Sequence, residues 1–115
     1  MKFMIMVFGT PGDLRAKSPE WIEAMVGFMV RFDDELARSG ELVYSEVLEA
    51  GGSATVVDQH GGARDGPFNH SDAPLSRYWV VRAAESRAIE IAASVAAAID
   101  APVEVRRCLE QNLRP

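Results

Sequence analysis

Three residues within one short stretch, Asp65, His70 and Asp72, are of the types that move protons, and Arg77 follows close behind. His70 and Asp72 stand two positions apart, so on an extended backbone both side chains project to the same side. Imidazole titrates near neutral pH, and an adjacent carboxylate would orient it for proton transfer. Asp65 has two readings. Its carboxylate could act as a general base or hold a cation, or it could accept backbone N–H groups and shape the Asp65-Gly66-Pro67 bend as an Asx-turn. His70, Asp72 and either Asp65 or His60 also combine the donor types of a divalent-metal site, whereas a plain polar loop needs only Asn69, His70 and Ser71 as turn caps. Zinc-type spacing, a phosphate-cradling glycine loop and a nucleophile elbow are missing from the sequence, so neither a metal nor a cofactor is expected.

Arg77 could anchor an anionic ligand or pair with an acid such as Asp72. Phe68 and Tyr44 are the remaining ligand-contact candidates, although Tyr44, Tyr78 and Trp79 equally suit a core or an interface. His60 sits in a glycine turn and reads as an exposed loop residue. Cys108, the only cysteine, has no neighbour that would activate it and reads as a small apolar residue dispensable for function.

The composition narrows the classes of function. With a net charge of −5 and a pI near 5.0, the chain offers no basic face for a phosphate backbone; Arg106-Arg107 is too short a run. Direct nucleic-acid binding is therefore not expected. No stretch approaches the ~20 apolar residues of a membrane span, and the apolar Met1–Phe8 run lacks the length and cleavage site of a signal peptide. A lone cysteine excludes an intrachain disulfide. Together these features predict a cytoplasmic protein. The 115 residues, 48% of them hydrophobic, suit one domain with a real core.

Elements must position these side chains. Lys2 to Phe8 reads as a strand, with Phe3, Ile5 and Val7 on one face and Met4, Met6 and Phe8 on the other. Ser18-Pro19-Glu20 is a helix start. Ile22, Met25, Met29, Phe32 and Leu36 continue it as one stripe, and Gly40 stops it, predicting a helix over Pro19–Ser39. Leu42 to Leu48 and Thr55 to Asp58 read as strands, with turns at Gln59–Gly62 and Asp65–Pro67. Gly51 to Pro74 is loop-rich, holding five glycines, two prolines and both histidines. Arg77 to Arg82 is a further strand, and a helix from Glu85 to Ile99 is expected to turn Ile89, Ala92, Ala93, Ala96 and Ile99 inward. Val103-Glu104-Val105-Arg106 closes the chain as a strand. The skeleton is βαββαβ with an inserted hairpin, the ferredoxin-like α+β arrangement with both helices on one sheet face.

Arg64-Asp65-Gly66-Pro67-Phe68 resembles the signature of the DGPF branch of the YCII-related family. The Lys2–Phe8 strand, the Ser18-Pro19-Glu20 helix start, the Glu41–Leu48 strand and Val103-Glu104-Val105-Arg106 occupy matching places, so the resemblance spans nearly the whole chain. It implies a dimeric ferredoxin-like α/β barrel with a small cleft near the signature. Some members of the family are proposed enzymes, and others are associated with extracytoplasmic-function sigma factors. After the signature the chain departs from the family pattern. Where similar proteins carry Glu, Lys and Glu, this one has His70, Asp72 and Ala73. The histidine that shorter members place on the first helix is absent.

Two readings of function follow. In the first, the protein binds a small polar or anionic molecule, or performs proton transfer on it, in a cleft bordered by Asp65, Phe68, His70, Asp72 and Arg77. In the alternative it is a non-catalytic module acting in sigma-factor-dependent transcription through protein contacts. Either way a homodimer is expected, because helices on one sheet face leave the other apolar face open.

Overall fold

The computed structural model of the protein describes residues 1–9, 14–69 and 73–110. Strands β1 (Lys2–Phe8), β2 (Leu42–Val47), β5 (Leu75–Arg82) and β6 (Glu104–Arg107) form one sheet in the order β2-β5-β1-β6, and every pairing is antiparallel. Helices α1 (Pro19–Ser39) and α2 (Glu85–Ile99) connect them, and a short hairpin, β3 (Thr55–Val57) with β4 (Ala63–Asp65), is inserted between β2 and β5. This is a mixed α+β fold compatible with the ferredoxin-like arrangement. The apolar content of β1 on both faces explains its place, since a strand with neighbours on both edges and a helix layer on one face is the most buried in the sheet.

Local chemistry sets the helix ends. The Trp21 N–H donates to the Ser18 hydroxyl at 3.1 Å, Pro19 opens the first turn, and Gly40 closes the helix at φ 80°, where a side chain would be strained. Asp34 and Arg38 pair at 3.1 Å one turn apart. At the end of α2, Asp100 adopts the left-handed conformation, and its carboxylate accepts from the Lys17 ammonium at 3.0 Å.

The core lies between the helices and one sheet face: Phe3, Ile5, Trp79 and Val81 pack with Met29, Phe32 and Leu36 of α1 and with α2. Phe32 meets Trp79 edge-on at 5.6 Å between centroids. The α1 stripe holds as expected, but the α2 face is rotated. Ala88, Ile91, Ala92 and Val95 are buried, while Ile89 is 51% exposed and Ala93 is also exposed. An alanine-rich helix is apolar nearly all round, so its spacing admits two phases; burying both Ile91 and Val95 decides between them.

The second sheet face carries no helix among the described residues. Met4, Tyr78 and Val80 are half-buried on it, Met6 is buried, and Phe8 and Tyr44 are exposed. Strand bounds shift slightly from expectation. β2 ends at Val47 and β5 begins at Leu75. β3 ends at Val57 because Asp58 turns its carboxylate to accept the His60 and Gly62 N–H groups at 2.9 and 2.8 Å. Among the described residues, no helix is long and apolar enough to cross a membrane.

Candidate functional site

Two adjoining cavities lie at the sheet end where β1 finishes and β5 begins. The larger, about 750 Å³, is walled by Phe8, Leu75, Glu104 and the segment after the hairpin, including Pro67, Phe68 and Asn69. The smaller, about 300 Å³, reaches toward the helix layer and is walled by Leu14, Met25, Met29, Ile99 and Arg77. Phe8, Leu75 and the Leu48–Gly51 segment belong to both walls, so the two form one cleft running around the sheet end.

Pro67 and Phe68, at the end of the Arg64–Phe68 segment, form part of the wall of the larger cavity. Gly66 sits at φ 103°, a conformation that disfavours any side chain, and its N–H donates to the Ala54 carbonyl at 2.7 Å. The Arg64 guanidinium reaches forward to the carbonyls of Pro67 and Phe68 at 3.4 and 3.2 Å and holds the bend. Gly51 faces this wall across a close contact: a Cβ there would lie 2.7 Å from Pro74 Cγ.

The residues expected to form the site are not all brought together. Phe68 lines the larger cavity and is 77% exposed. Asp65 is exposed at the end of β4 and lines neither cavity, and its carboxylate has no hydrogen-bond partner among the described residues. The Asx-turn is therefore not formed; Arg64 and Gly66 shape the bend instead. His70 and Asp72 lie outside the described residues. Their sequence neighbours Asn69 and Ala73 line the larger cavity. Tyr44 lies away from the cleft on the helix-free face, 6.3 Å from the Tyr78 ring, and its hydroxyl donates to Glu46, which pushes the phenol pKa up. His60 is an exposed turn residue and Cys108 is half-buried.

Arg77 lines the smaller cavity, but its guanidinium is engaged by an acid from α1. Its Nη2 donates to Asp33 at 2.8 Å, while the other Asp33 oxygen accepts from the Trp79 indole N–H at 2.8 Å. The same guanidinium lies 4.7 Å from the Trp79 ring centre, and its buried Nε has no partner among the described residues. Asp33 was not among the expected site residues. Its one visible signal is its place at the edge of the apolar stripe, one turn after Met29. At the opposite end of the sheet, Arg87 makes two bonds to Glu41 at 2.8 and 3.1 Å. Arg87, with help from the Ser39 hydroxyl, holds the Glu41 carboxyl below its ordinary value.

Among the described residues, the cleft walls are largely apolar with few polar groups. No three His, Cys, Asp or Glu side chains among the described residues converge on a metal-sized site. Comparison of the sequence with family models and with curated proteins finds no match.

Proposed function

We propose that the protein is a cytoplasmic, YCII-related small-molecule-binding domain that works as a homodimer of the α/β-barrel type. The observation that carries this reading is the cleft of about 750 Å³ beside Arg64-Asp65-Gly66-Pro67-Phe68, a volume in the range of metabolite sites. Its largely apolar lining would supply affinity, and its few polar groups would supply orientation. Proton transfer, where it accompanies binding, falls to His70 and Asp72, the sequence neighbours of the cleft residues Asn69 and Ala73. Asp65, which lines neither cavity, is the weaker partner in that chemistry. Arg77 is the one basic side chain of the described lining, and its engagement by Asp33 weakens the expectation of an anionic ligand.

The helix-free face supports the dimer. Phe8, Tyr44, Met4, Tyr78 and Val80 leave apolar surface uncovered there, and a self-complementary contact with a second copy covers it. The monomer is a slab of 43 × 42 × 20 Å. Its radius of gyration is 15.8 Å, against about 13 Å for a compact chain of this length. Phe8 and Glu104 belong both to that face and to the larger cavity, so a second copy would roof the cleft. A thermal-shift screen against metabolites tests the reading, because a ligand that binds only the folded state raises the melting temperature. At least one class of compound should raise it in a saturable way. A screen without any such compound would turn the reading toward a protein-contact module.

A further inference from the structure

Among the described residues the cleft walls carry three charged side chains, Arg77, Glu104 and Glu49, and two of them are neutralised locally. Arg77 pairs with Asp33 at 2.8 Å, and Glu104 with Arg106 at 2.7 Å. Glu49 has no hydrogen-bonding or ionic partner among the described residues, and it stands in the wall that both cavities share. Around it the lining is apolar: Phe8, Phe68 and Leu75 toward the helix-free face, Leu14, Met25 and Met29 toward α1.

We infer that the cleft takes a small molecule with an apolar body and a single cationic amine, the amine set against Glu49. This rests on the small-molecule reading above and names the class of ligand. An apolar body gains by leaving water for a wall of aliphatic and aromatic side chains. A carboxylate on the same body would face an uncompensated like charge at the junction, with no basic side chain of the described lining left to receive it. The chain's net charge of −5 favours approach of a cation in the same sense.

A matched series tests the inference: 4-phenylbutylamine, 4-phenylbutan-1-ol and 4-phenylbutyric acid, each titrated into the full ¹⁵N-labelled chain at neutral pH. The amine should bind tightest and the acid weakest, with amide shifts at Leu48–Gly51 and Phe68. Glu49→Gln should weaken the amine about three-fold, as expected for a partly exposed ion pair, and leave the alcohol unchanged, its amide spectrum reporting an intact fold. Glu49→Lys should reverse the order of amine and acid. An alcohol or acid that binds the wild-type chain as tightly as the amine would overturn the cationic class and leave small-molecule binding standing. Amide shifts from none of the three at millimolar concentration would count against the cleft as a binding site, and so against both readings.

Discussion

Asp33 ties α1 to the sheet through both of its carboxylate oxygens. One carboxylate oxygen holds the Arg77 guanidinium and the other holds the indole N–H of Trp79, a fully buried ring at the centre of the core. Replacing it with alanine leaves the indole donor and the guanidinium unpaired. Asp33→Ala should therefore lower stability by about 1–3 kcal/mol, whereas Asp33→Asn keeps an acceptor for the indole and should cost less. Urea denaturation of the two variants checks the ranking; equal losses would contradict it. Glu41 gives a prediction in pH. Its carboxyl pKa is lowered in the fold by Arg87, so the pair's contribution is fully present above the unfolded glutamate value. That contribution is lost as pH falls through the lower folded value. Glu41→Gln should cost a few tenths of a kcal/mol to about 1 kcal/mol at neutral pH, since Arg87 is half-exposed. The difference from wild type should vanish in acid. Denaturation curves at neutral and acidic pH measure it, and a constant difference would refute the linkage. These residue-level features were the least legible in the sequence. Asp33 and Arg77 are 44 positions apart, and only the register of β5 against α1 brings them together.

At the scale of elements, most of the fold could be read beforehand, because its signals are local. Ser18-Pro19 and Gly40 mark α1 by capping chemistry, and the two-sided apolar run of Lys2–Phe8 marks a central strand. Where the local signal was degenerate, tertiary packing decided. The alanines of α2 left its inward face undetermined, and the bend at Gly66 is held by a guanidinium where a carboxylate had seemed the natural agent. The cleft was legible only as a loop-rich stretch, Gly51 to Pro74. In its wall Pro67 and Pro74 flank Gly51, a contact that has no mark in the sequence. Gly51→Ala follows directly: its Cβ would fall 2.7 Å from a proline ring that cannot swing aside. We expect a loss of about 1–3 kcal/mol from the forced shift, with amide shifts concentrated at Phe68, Asn69 and Leu75. Full stability in thermal unfolding, with an unchanged spectrum, would show that the wall yields more easily than this packing implies.

The whole molecule is a two-layer slab with helices on one face of a four-stranded sheet. Alternation along β1 and β5 sends Ile5 and Trp79 into the helix layer and Met4, Met6 and Tyr78 to the other side. That division follows from strand parity alone, which is why the open face was expected from the sequence. We propose that a second copy covers this face and, through Phe8 and Glu104, roofs the cleft. Covering an apolar patch of about 300–600 Å² at about 25 cal/mol per Å² contributes on the order of 10 kcal/mol before association costs. That is enough for a dimer at micromolar concentration, where about 8 kcal/mol of net affinity is needed, only if those costs are small. The measurement is therefore decisive. Light scattering on the full chain at micromolar concentration should report a mass near twice 12.6 kDa, and Tyr44→Glu, placing a charge on the face, should shift it toward the monomer. A wild-type mass of 12.6 kDa under the same conditions would contradict the account.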